Sequence, residues 1–141
     1  MQRLDSANPT VAMSAALSKT VLLVDDVDAS RLVSKWFLWN FGYEVDSART
    51  AEEALILFDA KVHDAVITDN SMPGMTGLEM AHIIKLRSPK TPVIMFSGAL
   101  PEDRSCLDVA IQKPAHLMAI KDALDKLCGG GTQTQRGLSP E

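Results

Sequence analysis

Cysteine is scarce in this 141-residue sequence, which contains only Cys106 and Cys128. Their spacing matches no metal-binding motif, and two cysteines make no disulfide framework, so we expect both to be reduced thiols of an intracellular protein. No apolar run is long enough to span a membrane, and the first 18 residues lack the apolar core of a signal peptide. These absences predict a cytoplasmic protein.

An excess of basic residues is also missing. The formal net charge is -4, from 14 basic and 18 acidic residues. Domains that bind nucleic acid usually carry a basic patch, so the charge gives no support for that function. The apolar share of 46% and the length of the chain predict one globular domain with one hydrophobic core.

The two ends of the chain differ in composition from its middle. Residues 1–18 are rich in Ala and Ser, which indicates a flexible N-terminal arm. Residues 129–141 begin with three glycines and continue with mostly polar residues, which indicates a disordered C-terminal tail. The folded domain is therefore predicted to span residues 19–128.

Between these ends, short apolar runs alternate with segments that carry helix start and stop signals. The apolar runs predict buried strands at residues 21–24, 43–48, 64–69, 92–97 and 108–113. The other segments predict helices at residues 28–42, 50–60, 77–87 and 115–127, the last of them started by Pro114. Strands that alternate with helices predict a parallel sheet covered on both faces.

Polar side chains occur where the predicted strands end. Asp25 and Asp26 follow the first strand, and Asp69 closes the third. The fourth strand ends at Ser97, and the fifth ends at Lys113. Right-handed crossovers place the carboxyl ends of parallel strands along one edge of the sheet, where ligands bind. We therefore expect these five residues to share one functional edge.

The residue types at this edge indicate a chemistry. Three carboxylates in one cleft repel each other, and a divalent cation would relieve that repulsion. Mg²⁺ prefers oxygen ligands and often binds one or two carboxylates together with a phosphate oxygen. The Lys113 ammonium could pair with such a phosphate, and the Ser97 hydroxyl could donate a hydrogen bond to it. This set of groups is typical of phosphoryl transfer.

Four motifs at this edge resemble those of the receiver domains of two-component response regulators. In chain order they are VLLVDDVDASR, VITDNSMPGMTGLEM, PVIMFSGA and IQKP, and the resemblance covers residues 20 to about 127. It implies the CheY-like, flavodoxin-like α/β fold, a doubly wound five-stranded parallel sheet in the order 2-1-3-4-5 with helices on both faces. It also implies a signalling phosphoacceptor rather than an enzyme.

The resemblance implies a role for each acidic residue of the edge. Asp69 would be the phosphoacceptor, which takes a phosphoryl group from a phosphohistidine on a histidine kinase or a histidine phosphotransfer protein. Asp26 would bind Mg²⁺ directly, and Asp25 would help through a water molecule. The carboxylate of Asp69 and the backbone carbonyl of Ser71 would complete the set of protein ligands for the metal.

The fourth and fifth strands carry two further roles and two departures from the family pattern. Lys113 would pair with the phosphoryl group, and Ser97 would supply the switch hydroxyl. The family usually has an aromatic residue three positions before this lysine, where the chain has Ala110. Ser97 and Lys113 are 113 − 97 = 16 positions apart, which leaves little room for a helix. We therefore expect the fourth helix to be shortened or missing, and the resemblance alone does not imply the family's standard mode of signal output.

Two small side chains beside the site predict a modest lifetime of the phosphorylated form. In this family, hydrolysis is tuned by the residues two positions after the acceptor and two positions after the switch hydroxyl. Here they are Ser71 and Ala99, which would leave the acyl phosphate open to water.

The resemblance implies that the first helix helps to dock the phosphohistidine donor, as the same helix does in related receivers. Its spacing predicts that Arg31, Lys35 and Leu38 form an exposed face, opposite a core side or border formed by Val33, Phe37 and Asn40. The segments outside the folded domain contain no helix-turn-helix and no enzymatic output domain. We therefore expect the module to act alone on a downstream protein, without direct contact to nucleic acid or membrane.

Two other functions fit parts of the same pattern. A receiver that binds partners without phosphorylation would fit Ala110 and the short fourth segment, but it would not need the intact acidic cluster. A phosphatase of the haloacid dehalogenase type would use Asp26 and Asp28 as its nucleophile motif, but it would leave Asp69 and the turn that follows unexplained.

Overall fold

The computed structural model describes residues 18–129, so almost all of the expected arm and tail lies outside the described residues. The strands of the described part are β1 (Thr20–Val24), β2 (Glu44–Ala48), β3 (Ala65–Thr68), β4 (Val93–Ser97) and β5 (Val109–Gln112). Its helices are α1 (Asp28–Asn40), α2 (Ala51–Ala60), α3 (Gly77–Arg87) and α4 (Met118–Cys128). None of these helices is both long and apolar enough to cross a membrane.

The five strands form one parallel sheet in the order β2-β1-β3-β4-β5. The expected doubly wound fold is therefore confirmed. The chain moves outward from β1 to β2 and then returns to place β3 on the other side of β1. In sheets of this kind, ligands bind outside the carboxyl ends of the strands at the point where the order reverses. Here that point lies between β1 and β3.

Hydrophobic cores lie on both faces of the sheet. On one face, Leu22 and Val24 of β1 pack with side chains from α2 and α3. On the other face, Val21 and Leu23 pack with side chains from α1 and α4. Because β1 is buried on both faces, its sequence is a continuous apolar run rather than an alternating one.

Residues 98–108 connect β4 to β5 without a helix, so the expected loss of the fourth helix of the family is confirmed. Cys106 is buried and Leu107 packs against the core on the α2–α3 face. The Asp108 carboxylate accepts a hydrogen bond from the Val93 N–H at 2.7 Å, which fixes the end of the segment. Residues 98–108 therefore cover part of this sheet face although they form no helix.

The expected orientation of α1 was right for Phe37 and Asn40, which lie on the core side, but wrong for Leu38, Val33 and Arg31. Leu38 is only 1% exposed and faces the core, whereas Val33 is 56% exposed. The Arg31 side chain, which was expected to be exposed, is 11% exposed because it turns back onto the end of β1. Apolar residues occur on almost every side of this helix, so their spacing did not identify the buried face.

The start expected for the last helix was also wrong. The helix begins at Met118 rather than directly after Pro114. The Nδ1 atom of His116 accepts a hydrogen bond from the Met118 N–H at 2.9 Å. This contact satisfies one of the N–H groups that the first turn of a helix leaves without a backbone partner. The side chain of His116 therefore marks the helix start three residues later than the sequence pattern indicated.

Both cysteines are free thiols. Burial raises the pKa of the Cys106 thiol, and burial raises the pKa of Cys128 to about 11. Because the thiolate is the reactive form of cysteine, neither side chain has the character of a reactive thiol near neutral pH.

Candidate functional site

Three carboxylates lie together where β1 and β3 end. Asp25 and Asp26 follow β1, Asp69 follows β3, and one oxygen from each lies within 4.8 Å of the others. Asp25 is only 6% exposed, and the other two are half-buried. The point where the strand order reverses thus carries an acidic cluster, formed by Asp25, Asp26 and Asp69.

The acidic cluster has little positive charge to balance it. Within residues 18–129, the side chains of Asp25 and Asp26 make no ion pair, and Asp69 pairs only with Lys113, at 3.8 Å. Three clustered carboxylates with one ammonium keep an excess of negative charge, which favours a cation. Carboxylate oxygens are the ligands that Mg²⁺ prefers, so the residues present fit this ion.

The turn after β1 and the start of α1 hold Asp25 from three directions. Its Oδ1 accepts a hydrogen bond from the Val27 N–H at 3.0 Å, and its Oδ2 accepts one from the Ser30 hydroxyl at 2.6 Å. Its backbone carbonyl accepts a hydrogen bond from Arg31 at 2.9 Å. Because both carboxylate oxygens already accept a hydrogen bond from the protein, Asp25 has less capacity for a direct metal bond than a free carboxylate.

Sequence reasoning missed Ser30 and Arg31 as supports of this site. Ser30 lies in the first turn of α1, and its hydroxyl bonds the carboxylate that precedes the helix. Arg31 also pairs with Asp28 at 2.6 Å, and this hydrogen bond and charge lower the pKa of the Asp28 carboxyl. A serine and an arginine in the first turn of the helix that follows an acidic strand end were the signal available in the sequence.

Asn70 fastens the loop that carries Asp69. The Asn70 N–H donates a hydrogen bond to Oδ1 of Asp69 at 2.6 Å. Its side-chain oxygen accepts a hydrogen bond from the Leu78 N–H at 3.0 Å, and its side-chain nitrogen donates one to the Ala99 carbonyl at 3.1 Å. Asn70 therefore ties Asp69 to α3 and to the segment after β4. Sequence reasoning treated it only as a turn residue.

Gly77 allows α3 to begin directly against the backbone of Asp69. A Cβ atom at this position would lie 2.0 Å from the Asp69 carbonyl oxygen and 3.0 Å from the Asn70 Cα. The Gly77 N–H donates a hydrogen bond to the Asn70 carbonyl at 3.0 Å. Thr76 and Glu79 form a capping box at the same helix end. Because glycine has no side chain, the start of α3 can pack closely against the backbone of Asp69.

The turn between Asp69 and α3 is fixed by Met72 and Gly74. Met72 is buried in the core on the α2–α3 face. Gly74 has a φ of 79°, in the left-handed region that L-residues rarely adopt. Ser71 lies in this turn between Asp69 and Met72 and is exposed. Ser71 thus lies two positions after Asp69 and directly before Met72, whose burial in the core anchors the turn.

Lys113 reaches the acidic cluster from the end of β5, and Ser97 ends the neighbouring strand β4. The Lys113 N–H donates a hydrogen bond to the Ser97 carbonyl at 2.9 Å, which extends the β4–β5 pairing beyond the strand ends. The Lys113 Nζ lies 3.8 Å from Oδ2 of Asp69. Ser97 is 1% exposed, and its Oγ accepts a hydrogen bond from the Ala99 N–H at 3.1 Å. The hydroxyl hydrogen of Ser97 is therefore left to donate to another oxygen.

Comparison with known sequences points to one family. The family model of the response regulator receiver domain matches residues 21–125. The chain is similar to the autoinducer 1 sensor kinase/phosphatase LuxN of Vibrio campbellii, with 32% identity over 112 residues. It is also similar to the aerobic respiration control sensor protein ArcB of Escherichia coli, with 28% identity over 114 residues. These matches cover 76% and 75% of this chain, but only 13% and 15% of the two relatives.

Comparison with solved structures agrees. The fold is similar to that of the response regulator protein TrrA of Thermotoga maritima in complex with Mg(2+)-BeF, with a TM-score of 0.73 and 32% identity. The match covers 77% of this chain and 98% of that chain. TrrA has also been solved in complex with the histidine kinase ThkA, and that structure matches with a TM-score of 0.72, 32% identity and coverage of 77% and 97%.

Proposed function

Because the chain belongs to the response regulator receiver domain family, we propose that it accepts a phosphoryl group on Asp69 from a phosphohistidine. The donor would be a sensor histidine kinase or a histidine phosphotransfer protein, and a downstream protein in the cytoplasm would read the phosphorylated state. One observation carries this proposal, namely the acidic cluster with the Lys113 ammonium 3.8 Å from the Asp69 carboxylate. The chemistry is limited to self-phosphorylation and slow hydrolysis, so the role is signalling.

The acidic cluster would hold Mg²⁺, which receiver domains generally bind at an acidic pocket. Asp26 and Asp69 would bind the ion through carboxylate oxygens, and the backbone carbonyl of Ser71 would add a third protein ligand. Asp25 would act through a metal-bound water, which agrees with the two hydrogen bonds that its oxygens already accept. The ion would neutralise part of the charge on the phosphoryl oxygens.

The transfer would follow from how Asp69 is held. Its Oδ1 is fixed by the Asn70 N–H, which orients the carboxylate so that Oδ2 lies on the Lys113 side. A carboxylate oxygen of Asp69 forms the new O–P bond while the N–P bond of the phosphohistidine breaks and its electron pair stays on the histidine nitrogen. Lys113 would neutralise charge on the phosphoryl oxygens, and the Ser97 hydroxyl would donate a hydrogen bond to one of them.

Asp28, the second carboxylate that a haloacid dehalogenase-type phosphatase would use, lies outside the acidic cluster. Asp28 is the first residue of α1, its side chain is 68% exposed, and it pairs with Arg31 at 2.6 Å. The family match is to receiver domains. We therefore expect no turnover of a generic phosphomonoester by the purified protein, whereas steady release of phosphate would favour the phosphatase.

The partner of this site would dock on the exposed apolar face of α1, which is formed by Leu32, Val33 and Trp36. We expect Val33→Asp to slow phosphoryl transfer from a protein donor about tenfold, because a charge would be buried at the centre of the contact. Phosphorylation by acetyl phosphate should not change, since this small donor needs no docking surface. Both rates can be measured by intact mass with time.

The matched control for this experiment is Leu86→Asp. Leu86 is an exposed apolar residue of α3, so the same substitution there changes the surface charge equally but lies outside the proposed face. A protein donor should phosphorylate Leu86→Asp at the wild-type rate. Equal transfer rates for Val33→Asp and wild type would show that the donor docks elsewhere.

The lifetime of the phosphorylated form should be modest, because Ser71 and Ala99 are both small and exposed beside the acceptor. Ala99→Tyr is expected to lengthen this lifetime severalfold by restricting the approach of water to the acyl phosphate. Ala99 meets Asn70 through its backbone carbonyl, so the substitution leaves that hydrogen bond intact. The lifetime of each phosphorylated protein is measured from the decay of its phosphorylated mass after acetyl phosphate is removed. A very long-lived wild-type phosphoprotein would contradict the prediction.

A further inference from the structure

An aromatic ring lies next to the lysine of the site. The Lys113 Nζ is 5.1 Å from the centroid of the Phe96 ring, within the distance of about 6 Å at which a cation is attracted to an aromatic face. The same nitrogen lies 3.8 Å from Oδ2 of Asp69. Within residues 18–129, Phe96 is the one aromatic residue that makes this contact with Lys113.

We propose that Phe96 is a positioning residue for phosphoryl transfer, whose ring holds the Lys113 ammonium beside Asp69. The inference rests on the proposed function, because it concerns the same site. Neither the sequence motifs nor the chemistry of the acidic cluster assigns a role to Phe96, which directly precedes the switch position Ser97 on β4.

The ring is itself well held. Phe96 pairs in register with Ile111 of β5 and packs against the core on the α1–α4 face. Lys113, in contrast, reaches the site through a flexible side chain that keeps 29% of its surface exposed. A fixed ring therefore gives a mobile ammonium a defined resting place. Positioning a charged group before the reaction lowers the entropic cost of using it in the transition state.

The distances indicate how the ring would help. At 3.8 Å, Lys113 is near enough to Asp69 for charge attraction but too far for a hydrogen bond. An ammonium held there keeps its protons available for the oxygens of an incoming phosphoryl group. Without the ring, Lys113 would be free to bond the Asp69 carboxylate directly or to turn into solvent. The position that usually carries the aromatic residue of the family is Ala110, which cannot supply this contact.

The test compares two variants at one position. Phe96→Tyr keeps an aromatic face, whereas Phe96→Leu keeps apolar bulk without one. With acetyl phosphate and Mg²⁺, Phe96→Leu should be phosphorylated about two- to fivefold more slowly than wild type, and Phe96→Tyr at close to the wild-type rate. Equal rates for wild type and Phe96→Leu would overturn the proposal.

A second comparison separates positioning from a general packing effect. In a Lys113→Met background, Phe96→Leu should cause no further loss of rate, because no ammonium remains to be positioned. The same fold loss in both backgrounds would show that the ring only packs, and would overturn the proposal.

A measurement on the unphosphorylated protein keeps this inference separate from the proposed function. The ring should shift the NMR signals of the Lys113 ε-protons upfield in wild type and Phe96→Tyr, and Phe96→Leu should lose the shift. If wild type takes up no phosphoryl group, the proposed function fails. A shift that persists in Phe96→Leu would instead overturn the role of the ring, whatever the protein does with acetyl phosphate.

Discussion

Replacing Asp26 with asparagine is expected to slow phosphorylation of Asp69 by about two orders of magnitude while making the metal-free protein more stable. The loss of rate follows because Asp26 is the member of the acidic cluster best placed to bind the ion directly, since Asp25 already accepts hydrogen bonds from Val27 and Ser30. Without a bound cation, the charge on the phosphoryl oxygens is neutralised by Lys113 alone.

The gain of stability has the same origin. One oxygen from each of the three carboxylates lies within 4.8 Å of the others, and their repulsion destabilises the folded protein when no metal is present. Removing one charge at a half-buried position should relieve roughly 1 kcal/mol of this repulsion. A residue that weakens the fold but is needed for binding is the pattern expected of a functional site.

Thermal unfolding with EDTA and with Mg²⁺ measures both effects. Wild type should melt at a higher temperature with Mg²⁺, because an ion that binds only the folded state stabilises it. Asp26→Asn should melt above wild type in EDTA and should not respond to Mg²⁺.

The matched control is Asp28→Asn, which removes a carboxylate two positions away. Asp28 is exposed and paired with Arg31, outside the acidic cluster, so this variant should keep the wild-type response to Mg²⁺. If Asp26→Asn still gained stability from Mg²⁺ and was phosphorylated at the wild-type rate, the assignment of the metal site would be wrong.

Gly77→Ala is expected to cost about 3 kcal/mol of the free energy of unfolding and to slow phosphorylation as well. The new Cβ would lie 2.0 Å from the carbonyl oxygen of Asp69, so either α3 or the acceptor loop must move. The atom in the way belongs to the backbone, which cannot rotate aside as a side chain can. Urea unfolding measures the loss of stability, and intact mass with acetyl phosphate measures the loss of rate.

Gly98→Ala is the matched control for this substitution. Gly98 is an exposed glycine that follows Ser97, and a Cβ there would meet no atom within 4 Å. Its free energy of unfolding should stay within about 0.5 kcal/mol of wild type. A Gly77→Ala protein as stable as Gly98→Ala would mean that α3 can retreat without cost, and that Gly77 does not set the position of Asp69.

The sequence predicted the elements that depend on local patterns. Each strand was placed within two residues at either end, because buried runs such as Val21–Val24 leave little ambiguity. The helix at Gly77–Arg87 was placed without error, since Gly77 begins it and Ser88-Pro89 follows it. The missing helix after β4 followed from counting positions between Ser97 and Lys113. Such patterns involve residues that are close together in the sequence, so they can be identified without knowledge of the tertiary structure.

Features that depend on tertiary contacts were not predictable in the same way. The buried face of α1 could not be identified, because Leu32 and Val33 are as apolar as the buried Leu38 and only the packed sheet distinguishes them. The hydrogen bond from the Asn70 side chain to the Ala99 carbonyl joins two residues that are 29 positions apart, so this role of Asn70 appears only when the strand ends meet. The ring of Phe96 beside Lys113 is likewise a contact between β4 and the residue that follows β5.

The central claim is tested most directly by the intact mass of the protein after incubation with acetyl phosphate and Mg²⁺, with Asp69→Asn treated alongside. We predict the gain of one phosphoryl group that requires the metal and is absent in Asp69→Asn. No gain of mass by a folded wild-type protein would contradict the account, and it would favour a receiver that binds its partners without phosphorylation.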